Sequence, residues 1–358
     1  MSDKTIKITL LPGDGIGPEI VDQAVKAVKA IGEKSSIKFE FNTQLIGAVS
    51  IDETGNPLPQ DTIDSCKASD AVLLGAVGHP KYDNDPKAKI RPEQGLLAMR
   101  KKLGLFANVR PVNSIPSLIH KSPLKEHLVK DVDFVVIREL TGGIYFGEPR
   151  GRTEDGNTAF DSCVYTRGEV DRVARLAFDL ARKRDSRLTA VDKANVLASS
   201  RLWRETIQGL ESEYSDVKVD YMFVDNAAMQ IIQNPKQFDV VVMENMFGDI
   251  LTDEASVITG SLGLLPSASM GFHTSVFEPI HGSYPQAAGK NIANPLGTIL
   301  SAAMMFRYAL KLDNEADLIR EACYSSIDAG VVTEDISKDN PAKTSEVGDW
   351  VANYILKK

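Results

Sequence analysis

Short apolar, β-branched runs alternate along the chain with longer stretches in which apolar residues recur at helical spacing. The short runs predict strands, and the longer stretches predict amphipathic helices. The predicted strands lie at 6–11, 71–77, 133–138, 189–192 and 238–243, and the predicted helices at 19–31, 170–183, 199–214, 296–310 and 316–330. Strands that alternate with helices are typical of an α/β fold with a largely parallel sheet.

Length and composition limit the class of protein. The 358 residues are 43% hydrophobic and 25% charged, which suits two domains or one large one. The net charge of -8 argues against non-specific binding to nucleic acid or to an anionic membrane. Three widely spaced cysteines indicate neither a disulfide framework nor a zinc site. The first eleven residues lack a signal-peptide apolar region, and no run is long enough to span a bilayer, so we expect a soluble cytoplasmic protein.

An acidic pair follows the predicted strand 238–243. Asp249 and Asp253 are four residues apart in the segment 244–254, so on a helix both carboxylates leave one face. Two like charges at this spacing are mildly destabilising unless a cation lies between them. A hard divalent ion such as Mg²⁺ or Mn²⁺ prefers carboxylate oxygen. The pair therefore indicates either a metal site or a solvated acidic helix face.

A glycine-rich turn, Gly-Asp-Gly-Ile-Gly-Pro at 13–18, connects the first strand to the first helix. It is not the G-x-G-x-x-G pattern, because its third glycine comes one residue early, and Pro18 lacks a backbone donor. The turn is thus at least as well explained by tight strand-to-helix packing as by phosphate binding. A standard Rossmann fold is not expected.

Arginines form the second group of candidates. Arg100 and Arg110 lie in the segment 91–111, and Arg138 ends a predicted strand. Guanidinium groups bind carboxylates in bidentate fashion, so converging arginines would indicate a di- or tri-acid substrate, although single arginines are mostly surface residues. The adjacent apolar pair, Leu96 and Leu97, is by itself more typical of a core than of a specificity wall.

Three further side chains lie at or after strand ends, where catalytic groups are often found. Tyr145 lies in a glycine-rich loop after the strand 133–138, and Lys193 follows the strand 189–192. A lysine whose pKa is lowered is a usable base, although a solvated lysine is the simpler interpretation. Asp225, in the segment 221–228, offers a third carboxylate to the acidic pair.

The segment 277–295 is rich in Gly, Pro and Asn and contains His281, Gly282 and Ser283. Such a loop can approach a ligand with its backbone and present amide groups to an adenine. A lone histidine, in contrast, is usually structural or solvated.

Taken in order along nearly the whole chain, these segments resemble the β-decarboxylating dehydrogenases, the family of isocitrate, isopropylmalate, homoisocitrate and tartrate dehydrogenases. The resemblance implies two α/β domains that share a large mixed sheet. Domain one would comprise 1–105 and 260–358 and contain most of the cofactor site. Domain two, 106–259, would carry the dimerisation surface, the metal and catalytic residues, and an exposed arm near 146–165.

The resemblance also assigns roles to individual residues. Tyr145 and Lys193 would be the catalytic acid and base, with Lys193 and Asp225 serving the site of the neighbouring subunit in a homodimer. Arg100, Arg110 and Arg138 would bind substrate carboxylates, with Asp225 also at the substrate. Mg²⁺ or Mn²⁺ would be bound by Asp225, Asp249 and Asp253. The residues implied for the NAD site are Ile16, Gly78, Glu93, Glu278, His281, Gly282, Ser283, Gln286, Gly289 and Asn294.

Two positions bear on the choice of substrate and cofactor. Within the family, Leu96 and Leu97 fit an apolar wall for an isopropyl group, so we expect oxidative decarboxylation of (2R,3S)-3-isopropylmalate in leucine biosynthesis. Tartrate, D-malate and homoisocitrate are the alternative substrates, and a degenerate metal- or nucleotide-binding homologue is the non-enzymatic alternative. Members that use NAD usually carry an acidic residue where this chain has Gln286. A neutral glutamine repels a 2′-phosphate less than a carboxylate does. NAD remains the expected cofactor.

Overall fold

A computed structural model describes residues 5–83 and 89–358. The first four residues of the N-terminal segment considered above lie outside this description. The chain forms two compact units: one combines Met1–Leu105 with Ser261–Lys358, and the other is Phe106–Gly260. Among the helices of the described residues, none has the length and apolarity needed to cross a membrane.

The described residues form strands and helices that alternate for most of the chain. The strands are β1 Ile6–Gly13, β2 Phe39–Thr43, β3 Ala71–Ala76, β4 Leu105–Asn113, β5 Asp133–Glu139, β6 Arg150–Arg152, β7 Ala159–Asp161, β8 Arg187–Asp192, β9 Lys218–Phe223, β10 Val240–Met243, β11 Pro266–Gly271 and β12 Val276–Pro279. The helices are α1 Gly17–Ser35, α2 Ala48–Thr54, α3 Gln60–Ala68, α4 Pro80–Asp83, α5 Pro92–Leu103, α6 Glu126–Val129, α7 Arg167–Arg182, α8 Ala198–Leu210, α9 Val224–Gln233, α10 Asn245–Ser256, α11 Leu296–Met305, α12 Asp313–Asp328 and α13 Thr344–Lys357.

In the first unit, five strands pair in the order β2-β1-β3-β12-β11. The pairs β2–β1, β1–β3 and β3–β12 are parallel, whereas β12–β11 is antiparallel. β3 is buried along its whole length, as is typical of a central parallel strand. Helix α1 begins with Pro18 in its first turn and buries its apolar face, including Ile20 and Ala24, and it packs on α13.

In the second unit, five strands pair in the order β4-β5-β10-β8-β9. The pair β4–β5 is antiparallel, and β5–β10, β10–β8 and β8–β9 are parallel. Helices α9 and α10 contribute Ile231 and Leu251 to a core that also contains Phe134 and Val241 of the sheet. The carboxyl ends of the four parallel strands consequently lie at one edge of this sheet.

The strands and helices predicted from the pattern are all present, with bounds that differ by a few residues. The predicted helix 199–214 ends at Leu210, and the predicted helix 296–310 is α11 followed by a π-helical turn, Phe306–Leu310. The exposed excursion predicted near 146–165 contains a small antiparallel pair, β6–β7, whose residues are all exposed. The three cysteines are free, as expected.

Candidate active site

The parallel strands of the second unit bring the predicted catalytic residues to one edge of its sheet. Arg138 is the penultimate residue of β5, which leads into the loop that carries Tyr145. β8 ends immediately before Lys193, and β9 ends two residues before Asp225. β10 leads into α10, which carries the acidic pair. These residues are distant in sequence, and the parallel topology explains why they share one edge.

Asp249 lies within 4.0 Å of three other predicted residues, Arg110, Arg138 and Tyr145. Its carboxylate accepts a hydrogen bond from Nη1 of Arg138 and another, 3.0 Å long, from the hydroxyl of Tyr145. Nη2 of Arg110 lies 4.0 Å from the same carboxylate, and Nη1 of Arg110 lies 3.5 Å from Asp253. Because Arg110 reaches both members of the acidic pair, the two carboxylates lie on one face of α10, as their spacing predicts.

The two arginines of this unit that are predicted to bind substrate are buried, and the neutral side chains of Asn108, Thr252 and Asn245 orient them. Arg110, 8% exposed, donates to Asn108 Oδ1 and to Thr252 Oγ1, both at 2.6 Å. Arg138 is 3% exposed. A guanidinium group that is already desolvated and oriented loses little further freedom when it binds a carboxylate.

The hydroxyl of Tyr145 is protonated at neutral pH. Burial, together with the carboxylate of Asp249, raises the pKa of Tyr145 above its usual range, because both disfavour a phenolate. Tyr145 is therefore able to donate a proton rather than to accept one.

Lys193 and Asp225 form a separate pair within the chain. Nζ of Lys193 donates to Oδ1 of Asp225 at 2.6 Å, and this bond lowers the pKa of the Asp225 carboxyl. Across residues 5–83 and 89–358, no three His, Cys, Asp or Glu side chains come together as a metal site. Asp249 and Asp253 supply two carboxylates with 37% and 70% of their side-chain surface exposed, a donor type that suits Mg²⁺ or Mn²⁺.

In the first unit, the glycine-rich turn is a tight strand-to-helix connection. The backbone N–H of Asp14 donates to Ala76 O at 2.7 Å, and that of Ile16 donates to Ser283 O at 2.8 Å. The buried carboxylate of Asp14 accepts the backbone N–H groups of Ala48, Val49 and Gly78 at 2.8–2.9 Å. Backbone donors that would hold a phosphate are thus already used, which favours the first of the two interpretations of this turn.

A cavity of about 750 Å³ lies beside this turn, within the first unit. Four residues predicted for the cofactor site line it: Ile16, His281, Gly282 and Asn294. The other lining residues were not predicted from the sequence: Leu262, Gly263, Tyr284, Ile292, Ala293, Glu334, Asp335, Lys338 and Pro341. Tyr284, Ile292 and Ala293 lie in the segment 277–295, whose composition indicated a ligand-binding loop. No local pattern distinguishes the loop after α12, which carries Lys338, from an ordinary surface loop.

The cavity has the mixed lining that a nucleotide requires. Ile16, Ile292 and Ala293 are apolar, and Nε2 of His281 is buried without a hydrogen-bond partner among the described residues. Burial also lowers the pKa of His281, so the ring is neutral and Nε2 is available as a donor or an acceptor. This orphaned nitrogen fits a ligand with polar groups, such as the adenosine half of NAD.

The remaining residues predicted for the cofactor do not line the cavity. A Cβ at Gly78 would lie 3.0 Å from Oε1 of Glu93 and 3.6 Å from Oγ of Ser283, so these three are neighbours. Gln286 is exposed on a short 3₁₀ turn. The backbone N–H of Gly289 donates to the carboxylate of Glu19 on α1.

Helix α5 carries the predicted substrate residues of the first unit. Nη2 of Arg100 lies 3.9 Å from the carboxylate of Glu278, and its Nε is buried without a partner among the described residues. Leu96 is partly buried and Leu97 is 36% exposed, so neither belongs to the core. The core interpretation of the leucine pair is wrong, because α5 buries Gly95, Met99 and Leu103 instead.

Comparison with known proteins identifies the family to which this chain is similar. Residues 7–351 match the family model described as isocitrate/isopropylmalate dehydrogenase. Proteins named 3-isopropylmalate dehydrogenase from Bacteroides fragilis and Aquifex aeolicus are 57% and 51% identical to this chain. The alignments cover 98% of the chain in both cases, and 99% and 98% of those proteins.

Solved structures give the same result. The crystal structure of isocitrate dehydrogenase from Methylococcus capsulatus is 35% identical with a TM-score of 0.87, and 98% of this chain and 99% of that chain are covered. A β-decarboxylating dehydrogenase from Thermococcus kodakarensis is 34% identical with a TM-score of 0.81 and coverage of 98% and 96%. The α/β fold class expected from the resemblance is confirmed, and the chain belongs to the isocitrate/isopropylmalate dehydrogenase family.

Proposed function

We propose that this chain catalyses the NAD-dependent oxidative decarboxylation of (2R,3S)-3-isopropylmalate to 4-methyl-2-oxopentanoate and CO₂ in leucine biosynthesis. The relatives of that name, at 51–57% identity over nearly the full length, support the reaction. The structural observation that carries the proposal is the convergence of Arg110, Arg138 and Tyr145 on Asp249. This cluster combines carboxylate-binding groups, a proton donor and a candidate metal ligand.

Substrate binding would use the buried guanidinium groups. Arg110 and Arg138 are oriented by their partners before any ligand arrives, and Arg100 has an unpaired buried Nε among the described residues. Two carboxylates of a malate derivative can satisfy such donors in bidentate fashion. The accessible side chains of Leu96 and Leu97 support an apolar substituent on the substrate.

Asp249 and Asp253 would hold Mg²⁺ or Mn²⁺ together with Asp225 of the partner subunit, and the cavity lined by Ile16 and His281 would hold NAD. When bound there, the metal ion would supply a positive charge beside the C2 oxygen of the substrate, and NAD would supply the acceptor for the hydride.

The side chains of the protein would move the protons. Lys193 takes the proton of the C2 hydroxyl as C2 loses its hydride, which leaves a ketone. The bond between C3 and its carboxylate then breaks, CO₂ leaves, and the electron pair passes into the ketone to give an enolate. Tyr145, whose raised pKa keeps its hydroxyl protonated, helps to deliver a proton to C3.

A homodimer with shared sites is part of the proposal, and it is supported by the pairing of Lys193 and Asp225 with each other rather than with the cluster around Asp249. Several large apolar side chains of this unit are also exposed: Val196 at 62%, Ile250 at 59% and Met229 at 53%. Exposed apolar residues on neighbouring elements are typical of a surface covered in the assembly.

Complementation between inactive variants tests the shared site. Lys193→Ala and Asp249→Asn are each expected to be inactive as homodimers. A mixed dimer would contain one site with both defects and one site with neither, so mixing the two variants after mild unfolding and refolding should restore activity. If each site came from a single chain, every site in the mixture would carry one defect and activity would stay lost.

The activity itself is tested with a substrate panel. Purified protein is assayed for reduced nicotinamide with 3-isopropylmalate, D-malate, tartrate and homoisocitrate, with NAD or NADP, and with or without Mg²⁺. The proposal predicts the highest kcat/KM for 3-isopropylmalate with NAD and Mg²⁺. A higher kcat/KM for another acid would contradict the proposed substrate, and a higher kcat/KM for NADP would contradict the proposed cofactor. If the protein turned over none of the acids, a non-catalytic homologue would be favoured.

The expected cellular location is the cytoplasm. Three free cysteines, one of them exposed, suit a reducing compartment, and biosynthesis with NAD takes place where that cofactor is available.

A further inference from the structure

Asn245 lies at the centre of the cluster around Asp249. It is the first residue of α10 and is 1% exposed. Its Oδ1 accepts from Arg138, its Nδ2 donates to the carbonyl of Gly142, and its backbone N–H donates to the hydroxyl of Tyr165. These bonds join α10 to β5, to the loop that follows β5 and to Tyr165.

The contact with Arg138 fixes the plane of the guanidinium group. Oδ1 of Asn245 accepts from Nη2 at 3.0 Å and from Nε at 3.2 Å, and the main-chain oxygen of Asn245 accepts from Nε at 3.0 Å. Nη1 points to Asp249. Because Asn245 occupies the Nε edge, Arg138 can present only its Nη1/Nη2 end to a substrate carboxylate.

The contact with Gly142 fixes the loop that leads to Tyr145. Nδ2 of Asn245 donates to Gly142 O at 3.1 Å, and the N–H of Gly142 donates to the buried carboxylate of Glu139 at 2.8 Å. A Cβ at Gly142 would lie 2.6 Å from the ring of Tyr165, so the backbone here packs directly against that ring. Tyr145 follows three residues later.

We propose that Asn245 is a positioning residue that holds the Arg138 guanidinium and the Tyr145 loop in one arrangement. The inference rests on the roles that the proposed function gives to Arg138 and Tyr145. The position requires an acceptor towards Arg138 and a donor towards Gly142, and a side-chain amide offers both on a short, rigid stem. Aspartate lacks the donor and leucine lacks both groups.

Asn245→Leu, nearly equal in size, tests the proposal. With both bonds lost, Arg138 and Tyr145 are expected to lie about 1 Å or more from their working positions, a displacement that can cost about a hundredfold in rate. We expect KM for 3-isopropylmalate to rise and kcat to fall, each by about tenfold or more, while KM for NAD stays unchanged. Asn245→Ser, whose short polar side chain is too small to bridge Arg138 and Gly142, provides a second variant with the same expected direction if the leucine variant folds poorly.

Tyr165→Phe is the matched control, because it removes one buried hydrogen bond from the same residue but leaves the side-chain amide of Asn245 in place. It should lower the melting temperature while KM and kcat per folded molecule remain within about twofold of wild type. If folded Asn245→Ser or Asn245→Leu behaves in the same way, Asn245 is merely structural and the inference is wrong. A wild-type protein that oxidises no malate-type acid would instead contradict the proposed function.

Discussion

Replacing Glu244 by glutamine should change how the stability of the second unit depends on pH. Glu244 follows β10, is 3% exposed, and accepts a hydrogen bond from Ser200. The pKa of its carboxyl is raised from 4.5 to about 7: burial is the largest cause, the hydrogen bond from Ser200 opposes it, and the nearby carboxylates of Asp192 and Glu139 add to it. The folded protein therefore binds a proton at Glu244 that the unfolded chain releases.

The sign and size of the effect follow from this difference. A raised pKa in the folded state stabilises the protein below the ordinary pKa of 4.5, and this stabilisation is lost as the pH rises towards about 7. A shift from 4.5 to about 7 corresponds to a free energy on the order of 3 kcal/mol. Glutamine has nearly the same shape, keeps an acceptor for Ser200 and does not titrate. The stability of Glu244→Gln relative to wild type should therefore rise by on the order of 3 kcal/mol between about pH 5 and about pH 8.

The measurement is urea unfolding followed by tryptophan fluorescence. The chain has two tryptophans, and Trp203 is fully buried on α8 in the second unit. A Trp350→Phe background leaves Trp203 as the only reporter, so the transition of that unit is observed directly. Comparing one variant with wild type at two pH values cancels any constant effect of the altered hydrogen bond.

Glu205→Gln on the same helix as Trp203 is the control. Glu205 is exposed, with 59% of its side-chain surface accessible, and should give the same small difference at both pH values. If the free energies of unfolding of Glu244→Gln and wild type also differed by a constant amount across this range, Glu244 would be ionised in the folded protein and the reasoning would fail.

Three further substitutions have definite expected outcomes. Tyr145→Phe should lower kcat by a factor of about 10² or more while KM for 3-isopropylmalate changes little, as measured by steady-state kinetics, since the phenol acts as a proton donor. Gly248→Ala places a Cβ 2.7 Å from the Arg138 side chain, so KM for the substrate should rise about tenfold with an unchanged circular dichroism spectrum, and an unchanged KM would contradict the assignment of Arg138. Gln286→Asp should increase the ratio of kcat/KM for NAD to that for NADP, because a carboxylate repels a 2′-phosphate; a constant ratio would show that Gln286 does not approach the ribose.

Much of the second unit was predictable because its pattern is regular. The apolar runs of β5, β8 and β10 indicate buried parallel strands, and the topology then places Arg138, Lys193 and the acidic helix at one edge. The four-residue spacing of Asp249 and Asp253 is sufficient to predict that they share one helix face. The roles of these residues came from the resemblance to a family, since spacing alone left a solvated acidic surface equally possible.

Other parts of the fold gave no usable signal. β4 contains Asn108, Arg110 and Pro111, so its sequence does not read as a buried strand, although antiparallel pairing with β5 buries most of it. Asn245 could not be recognised because its function depends on Arg138 and Gly142, more than a hundred residues away. Lys338 and its neighbours in the cavity belong to a polar loop whose importance is visible only from its position.

The order in which the chain emerges from a ribosome gives the two units different folding histories. Phe106–Gly260 is continuous, so all strands and helices of the second unit are available once that segment has been synthesised. The first unit is discontinuous in sequence. One edge of β3 stays unpaired until β12 has been synthesised, because Val72 lies opposite Val276. The apolar face of α1 likewise stays uncovered until α13 has been synthesised at the far end of the chain. Until then, the N-terminal segment exposes an unpaired parallel strand edge, a surface prone to aggregation. Nascent chains stalled after residue 260 are therefore the species on which a chaperone would be expected to act.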